Sequence, residues 1–280
     1  MSRKPLTQIF PFLLPLRSRQ RKICFCLGMA LDKNRYARTK GAELLAHQIF
    51  QAESALINTE TGYDIQYQIN KVHNLKLAVQ TMDKILIHPG ETFSFWQLAR
   101  YAERHQAYRE GLVLSRGKLV PGKGGGLCLL SNMLFWLFLN TPLTIVERHP
   151  HRIEYFPLPP GGIPGTDATI SQGWLDLKVR NETEATYQLD TPDRLKLSLF
   201  SDQPCRHRYQ SIDSQQHFYR QGKLVYRENH ICQVQINART GEETAKKLLY
   251  INRCQICYPL APHTQIQELP EKREGESDEA

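Results

Sequence analysis

Three glycines, Gly124, Gly125 and Gly126, stand just before Cys128 in the segment GGGLCLLSN, where an apolar run begins. Glycine lets a backbone turn sharply and lets a second chain approach closely. If the apolar run is a helix, its first turn offers free N–H groups and a positive dipole end, a setting that lowers a thiol pKa and can hold an oxyanion. Downstream, ERHPHR supplies His149 and His151, and GTDATIS supplies Asp167. A thiol nucleophile, an imidazole base and a carboxylate that orients it are the parts needed for acyl transfer or amide hydrolysis on a peptide-like substrate. The order Cys, His, Asp is also that of transglutaminase-like and papain-like thiol enzymes, an analogy of order alone. The candidate catalytic residues are therefore Cys128, His149, His151 and Asp167. The glycine turn at Gly124, Gly125 and Gly126, with Ser131, Asn132 and Arg148, is the candidate ligand-binding surface.

A plainer reading of the same residues stands beside this one. Cysteine packs readily as a small hydrophobe, and glycine turns before helices are ordinary. His149 and His151, beside Glu147 and Arg148, could be hydrogen-bonded scaffold residues. The pocket could equally belong to a binding module with no reaction of its own.

Several elements must position these groups. ARTKGAELLAHQIFQAESALI predicts a helix from Ala37 to about Ile57, with Leu44, Leu45, Ile49 and Leu56 as its stripe. A second helix is expected from Asn70 to Ile85, ended by Pro89 and Gly90. Phe93, Phe95 and Trp96 in PGETFSFWQLA read as core residues. GLVLSRGKLVPGK alternates on both sides of Arg116 and Gly117, as a hairpin does. Leu127 to Leu139, at 13 residues, suits a buried core helix better than a bilayer span. LTIVERHPH, GTDATIS and WLDLKVRN are strand candidates, and with strand periodicity His149 and His151 would face one side. Beyond Asn181 the pattern is almost wholly strand and turn. Helices first and antiparallel strands later is an α+β architecture.

With 41% hydrophobic residues in 280, the chain can bury a substantial core. The net charge of +8 understates the basicity of the body, because the stretch from Gln265 to Ala280 is acidic. That surplus favours an anionic partner such as nucleic acid, anionic lipid or an acidic cell-wall polymer, without choosing among them. Seven cysteines without regular spacing argue against a disulfide framework and for a reducing, cytoplasmic setting. The run IFPFLLPL is cut by Pro11 and Pro15 and followed at once by Arg17, Arg19, Arg21 and Lys22, so it is not read as a signal peptide. It could still rest on a membrane face, although the prolines oppose a clean amphipathic helix. No stretch reaches the ~20 apolar residues of a transmembrane helix.

Other motifs point nowhere firm. Cys254 with Cys257, and Cys24 with Cys26, lack the spacing and knuckle glycines of a zinc site. Cys128, His149 and His151 could chelate one ion only if strand geometry aligns them, and no metal or cofactor is expected. PGKGGG has its lysine before the glycines and no Ser or Thr after it, which is the wrong order for a phosphate loop. Aromatic and basic residues around Tyr209, Phe218, Tyr219 and Tyr226 are explained by alternation in a half-buried sheet, so nucleic acid is not the expected partner.

Taken together, ETFSFWQL, EGLVLSRGKLVPGKGGGLC, Ser131 and Asn132, TPLTIVERHPH, GTDAT, YREN at Tyr226 to Asn229, NKVHNL near Asn70, and Arg35, Tyr36 and Lys40 resemble the VanW family, colinearly over roughly residues 30 to 255. The resemblance implies an accessory role in glycopeptide (vancomycin) resistance or cell-wall metabolism, with a peptide-like or cell-wall precursor ligand, and it brings no settled activity. Two departures are present: the family usually has Gln after the cysteine, where this chain has Leu129, and Ser after the second histidine, where this chain has Arg152. If those residues serve a reaction, this member is weakened or inactive. The expected organisation is a basic N-terminal segment (1–30), a VanW-like α+β core (31–180), a β-rich part packed on it (181–262) and a disordered acidic tail (263–280).

Overall fold

A computed structural model describes residues 12, 14–54, 63–115, 118–155, 157–158, 162–193 and 196–269. The element that organises the fold is the apolar helix α4 (Leu127–Leu139), with nine of its side chains buried. Every turn of LCLLSNMLFWLFL is apolar, so the helix can only be stable surrounded. Leu130, Leu134, Phe135 and Phe138 are at most 1% exposed, and Phe93 and Phe138 pack ring against ring at 5.1 Å.

The elements around α4 follow in chain order. Helix α1 (Leu14–Leu31) leads to β1 (Arg35–Tyr36) and β2 (His47–Glu53). Helix α2 (Ile65–Met82), strands β3 (Leu86–Ile87) and β4 (Glu91–Ser94), and the short helix α3 (Phe95–Ala99) come next. Strands β5 (Glu110–Ser115) and β6 (Lys118–Lys123) pair as the expected antiparallel hairpin, though its turn at Arg116 and Gly117 lies outside the described residues. After α4 come β7 (Thr144–Glu147), β8 (Ile153–Glu154), β9 (Lys178–Arg180), β10 (Tyr187–Asp193) and β11 (Lys196–Ser201). The long strands β12 (His207–Gln221), β13 (Leu224–Asn237) and β14 (Glu243–Ile256) and the short β15 (Ile266–Leu269) complete it.

Two four-stranded sheets, β1-β4-β9-β7 and β2-β11-β10-β3, and a five-stranded sheet, β15-β12-β13-β14-β8, make a mixed α+β fold with a β-rich C-terminal part. Most pairs are antiparallel; β1 with β4, β12 with β15 and β14 with β8 are parallel. Strands β10 and β11 pair with β3 and β2, so sequence on both sides of residue 181 shares one sheet.

Four local expectations are corrected. The stretch predicted as a helix from Ala37 holds a coil and then β2, which pairs residue by residue with β11 some 150 positions away. The strand expected through LTIVERHPH stops at Glu147, and GTDATIS forms no strand, so His149, His151 and Asp167 all sit on irregular backbone. The disordered tail does not begin at His263: Ile266 to Leu269 add to β12, while residues 270–280 lie outside the described ones. At the N-terminus, α1 forms in spite of Pro15, which occupies its second position, where a missing N–H costs nothing. Pro11 and most of the apolar run before it lie outside the described residues.

The glycine turn has a packing explanation. Gly126 caps α4 in the left-handed region at φ +97°, a conformation that side-chain-bearing residues adopt at a cost. A Cβ on Gly125 would lie 2.3 Å from the carbonyl carbon of Gly111, because β5 runs directly over the turn. Asn74 of α2, fully buried, fastens the crossing by donating to the carbonyls of Arg109 and Gly125 and accepting from the Arg109 amide.

Candidate functional site

The segment from Gly165 to Ile170 runs alongside the first two turns of α4. Ser131 Oγ donates to the Ala168 carbonyl at 2.5 Å, and Asn132 Oδ1 accepts the Ala168 amide at 2.8 Å. These contacts fix Asp167, one residue earlier. Asp167 Oδ2 accepts from the His151 backbone amide at 2.6 Å and lies 2.7 Å from His151 Nδ1. With Nδ1 as the donor to that carboxylate, Nε2 is the ring nitrogen left to accept a proton. Burial alone would push the Asp167 carboxyl up, but the His151 hydrogen bond and the Arg148 guanidinium hold it below the usual carboxylate range.

Arg148 joins this pair to the β-rich part. Its Nε donates to the Asp167 carbonyl at 2.7 Å; one terminal nitrogen reaches the Gly165 carbonyl at 2.7 Å and Asp167 Oδ1 at 3.1 Å, and the other reaches Asn252 Oδ1 at 3.1 Å. The guanidinium lies over the rings of Phe135 and Tyr250, at 5.3 and 4.8 Å. Tyr250 Oη donates to Gly165, and Asn229 Nδ2 to Pro164, so β13 and β14 also grip the loop that carries Asp167.

These groups border a cavity of about 610 Å³. One wall is α4, through Leu129, Asn132, Met133 and Trp136; another carries His151 and Asp167; Arg227, Asn252 and Cys254 come from the five-stranded sheet. Arg227 and Glu154 pair at 2.6 Å in its wall, both side chains at least 85% buried. Burial raises the Glu154 carboxyl, an effect that the Arg227 charge only partly offsets. Burial likewise pushes the Cys254 thiol up to about 12, with the Glu154 charge adding to it.

The sequence-predicted residues thus divide. His151, Asp167, Arg148, Ser131 and Asn132 are brought together, and His151, Asp167 and Asn132 line the cavity. His149 turns away: its Nε2 lies 2.9 Å from Glu147, which also accepts from Lys178 and from the Asp176 amide, so the two histidines do not share a site. The expectation that they would rested on strand alternation, and the chain leaves β7 before reaching either. Cys128 is not in the cavity lining. Its Sγ lies 3.9 Å from the Ile170 carbonyl, and burial pushes its thiol up, with the Asp167 charge adding to the shift. The lowering expected at a helix start is overridden because desolvation disfavours the thiolate more than the dipole favours it. Gly124, Gly125 and Gly126 lie outside the lining as well. Trp136, Glu154 and Asn252 carry no signal of their own in the sequence, and Arg227 and Asn229 are marked there only by the YREN segment. Among the described residues, no group of three or more His, Cys, Asp or Glu is placed to hold a metal ion, and no helix is long and apolar enough to cross a membrane.

Over 272 residues the chain is 48% identical to the vancomycin B-type resistance protein VanW of Enterococcus faecalis (strain ATCC 700802 / V583), an alignment covering 96% of this chain and 99% of that protein. The chain belongs to the VanW family. Residues 70–196 match the family described as VanW like protein. The uncharacterized protein YoaR of Bacillus subtilis (strain 168) is 32% identical over 143 residues, which is 50% of this chain and 44% of that protein. No solved structure matches. Of the segments that carry the VanW resemblance, ERHPH, GTDAT, YREN and the start of α4 contribute residues to the cavity lining.

Proposed function

We infer that this VanW-family protein serves vancomycin resistance or related cell-wall metabolism by holding a peptide-like cell-wall precursor in the cavity between α4 and the His151–Asp167 pair. The observation that supports the reading is the chemical division of that cavity. Leu129, Met133 and Trp136 offer an apolar wall, opposite a histidine with a proton-accepting nitrogen and the amide of Asn252. A peptide presents both kinds of surface, and a few polar groups in an apolar cleft suffice to orient it. A binding role without chemistry fits the thiol better than nucleophilic attack, since Cys128 is held neutral and lies outside the lining.

Calorimetric titration of the full chain with a synthetic peptidoglycan stem peptide tests this. Saturable binding is expected, weakened at least tenfold by Trp136→Ala and by His151→Ala and kept by Cys128→Ser. Absence of saturable binding, or indifference to both cavity substitutions, overturns it. Turnover of the peptide that is abolished by Cys128→Ser would establish thiol-dependent acyl transfer or amide hydrolysis in its place.

A further inference from the structure

Helix α1 presents an apolar row to solvent on the side away from the protein. At 3.6 residues per turn, Leu16, Ile23 and Leu27 fall within about 40° of arc, with Leu31 close by and Phe25 diametrically opposite. Phe25 packs on the core and Met29 is buried with its Sδ 3.9 Å from Ser94 Oγ, so the helix is docked through that far face. The outward row is open: Leu16 is 66% exposed, Ile23 52%, Leu27 55% and Leu31 83%. A soluble surface helix would place polar residues there.

Two further features belong to the same helix. The helix carries Arg17, Arg19, Arg21 and Lys22 and no acidic residue. The turn at Gly173 packs on its backbone, a Cβ there falling 3.0 Å from the Lys22 nitrogen, and it sets Trp174 beside the helix, 64% exposed with the Arg21 guanidinium 5.2 Å from the ring centre. That turn lies on the docked side; what faces outward, an apolar row with Arg19 beside it and no acidic residue, is the composition of a helix that lies in a bilayer interface. A second copy of this chain is disfavoured as the occupant, since packing α1 on α1 sets basic flank against basic flank.

We propose that the outer face of α1 is a docking surface for an anionic phospholipid bilayer, with Leu16, Ile23, Leu27 and Leu31 entering the headgroup–acyl boundary and Arg19, about 60° from Leu16 around the helix, meeting lipid phosphates. The helix lies in the surface and does not span it.

The test is flotation of the full chain with vesicles of phosphatidylcholine alone or mixed with phosphatidylglycerol. Binding is expected with phosphatidylglycerol only. Raised salt and Arg19→Gln should each weaken it. Ile23→Ser/Leu27→Ser should cost at least about tenfold, since each loses most of a buried aliphatic side chain. Near-ultraviolet dichroism matching that of the parent chain shows that the variants remain folded. No binding to phosphatidylglycerol vesicles, equal binding to both compositions, or binding untouched by Ile23→Ser/Leu27→Ser overturns the proposal. A concentration-dependent dimer dissolved by that pair, without lipid binding, assigns the row to a second copy and overturns it too.

Discussion

Replacing Arg148 by Met is the sharpest probe of how the site is held. The arginine side chain is 9% exposed and makes four hydrogen bonds, to the Asp167 and Gly165 carbonyls, to Asp167 Oδ1 and to Asn252 Oδ1. Methionine can fill the slot between Phe135 and Tyr250 but donates to none of these acceptors. Breaking a buried charge pair by removing one partner costs about 3–5 kcal/mol. His151 and its backbone amide still serve Asp167 Oδ2, so the lower part of that range applies, about 3 kcal/mol. Urea unfolding of the parent chain and of Arg148→Met measures the loss, and adding Asp167→Asn closes a double-mutant cycle. A coupling of at least about 1 kcal/mol is expected between the two sites, which are in direct contact. If Arg148→Met costs less than about 1 kcal/mol, the network contributes nothing and the reading of Arg148 as the clamp between core and β-rich sheet fails.

Four further outcomes follow from the same geometry. Gly125→Ala forces a Cβ against the Gly111 backbone and should cost about 1–3 kcal/mol in the same unfolding assay, whereas alanine at Gly90, which has φ +76° but open space around it, should cost less. Asp176 is fully buried, and burial raises its carboxyl to about 6, so the stability tied to its protonated form is present at low pH and is lost as pH rises through 6. Asp176→Asn should therefore gain stability relative to the parent chain as pH rises from about 4 to about 6, and hold that gain above. Asp167 has the opposite sign: its lowered folded-state pKa gives stability present above its ordinary value and lost as pH falls through the folded one, so Asp167→Asn should flatten the acid limb of the stability curve. Iodoacetamide should label Cys128 in the native protein more slowly than a free thiol at every pH up to about 8.5; faster labelling would refute the account of a desolvated, neutral thiol.

The fold was legible in the sequence where the signal is local. Helix α4 is apolar all round and admits no other reading, and β12 to β14 alternate over long runs bounded by turns. It was illegible where a distant partner decides. Leu44, Leu45 and Ile49 have helical spacing, yet β2 pairs with β11, and Leu44 ends 43% exposed. Gly41 sits where a Cβ would strike the Gln188 side chain, a constraint invisible without β10 in place. At the site, residue type picked out Asp167 and His151 and carried no information on which histidine the carboxylate would take, because that depends on where the chain leaves β7. Arg227 and Asn252 come from strands about 100 residues downstream of α4, and their convergence on the cavity is a matter of sheet register.

The pairing of β2 with β11 also bears on how this family can be cut and recombined. The stretch 70–196 that carries the family match omits β2, keeps one residue of β11 and excludes the whole of β12 to β15. Expressed alone it would leave β10 with only the two-residue β3 beside it and would uncover the side of α4 that Tyr250 and Leu249 close. It would also strand Arg148 without Asn252 and Tyr250. That stretch is thus a shared part and not a free-standing module, and a protein that retains it within a different architecture must furnish replacement strands before its Asp and His can meet.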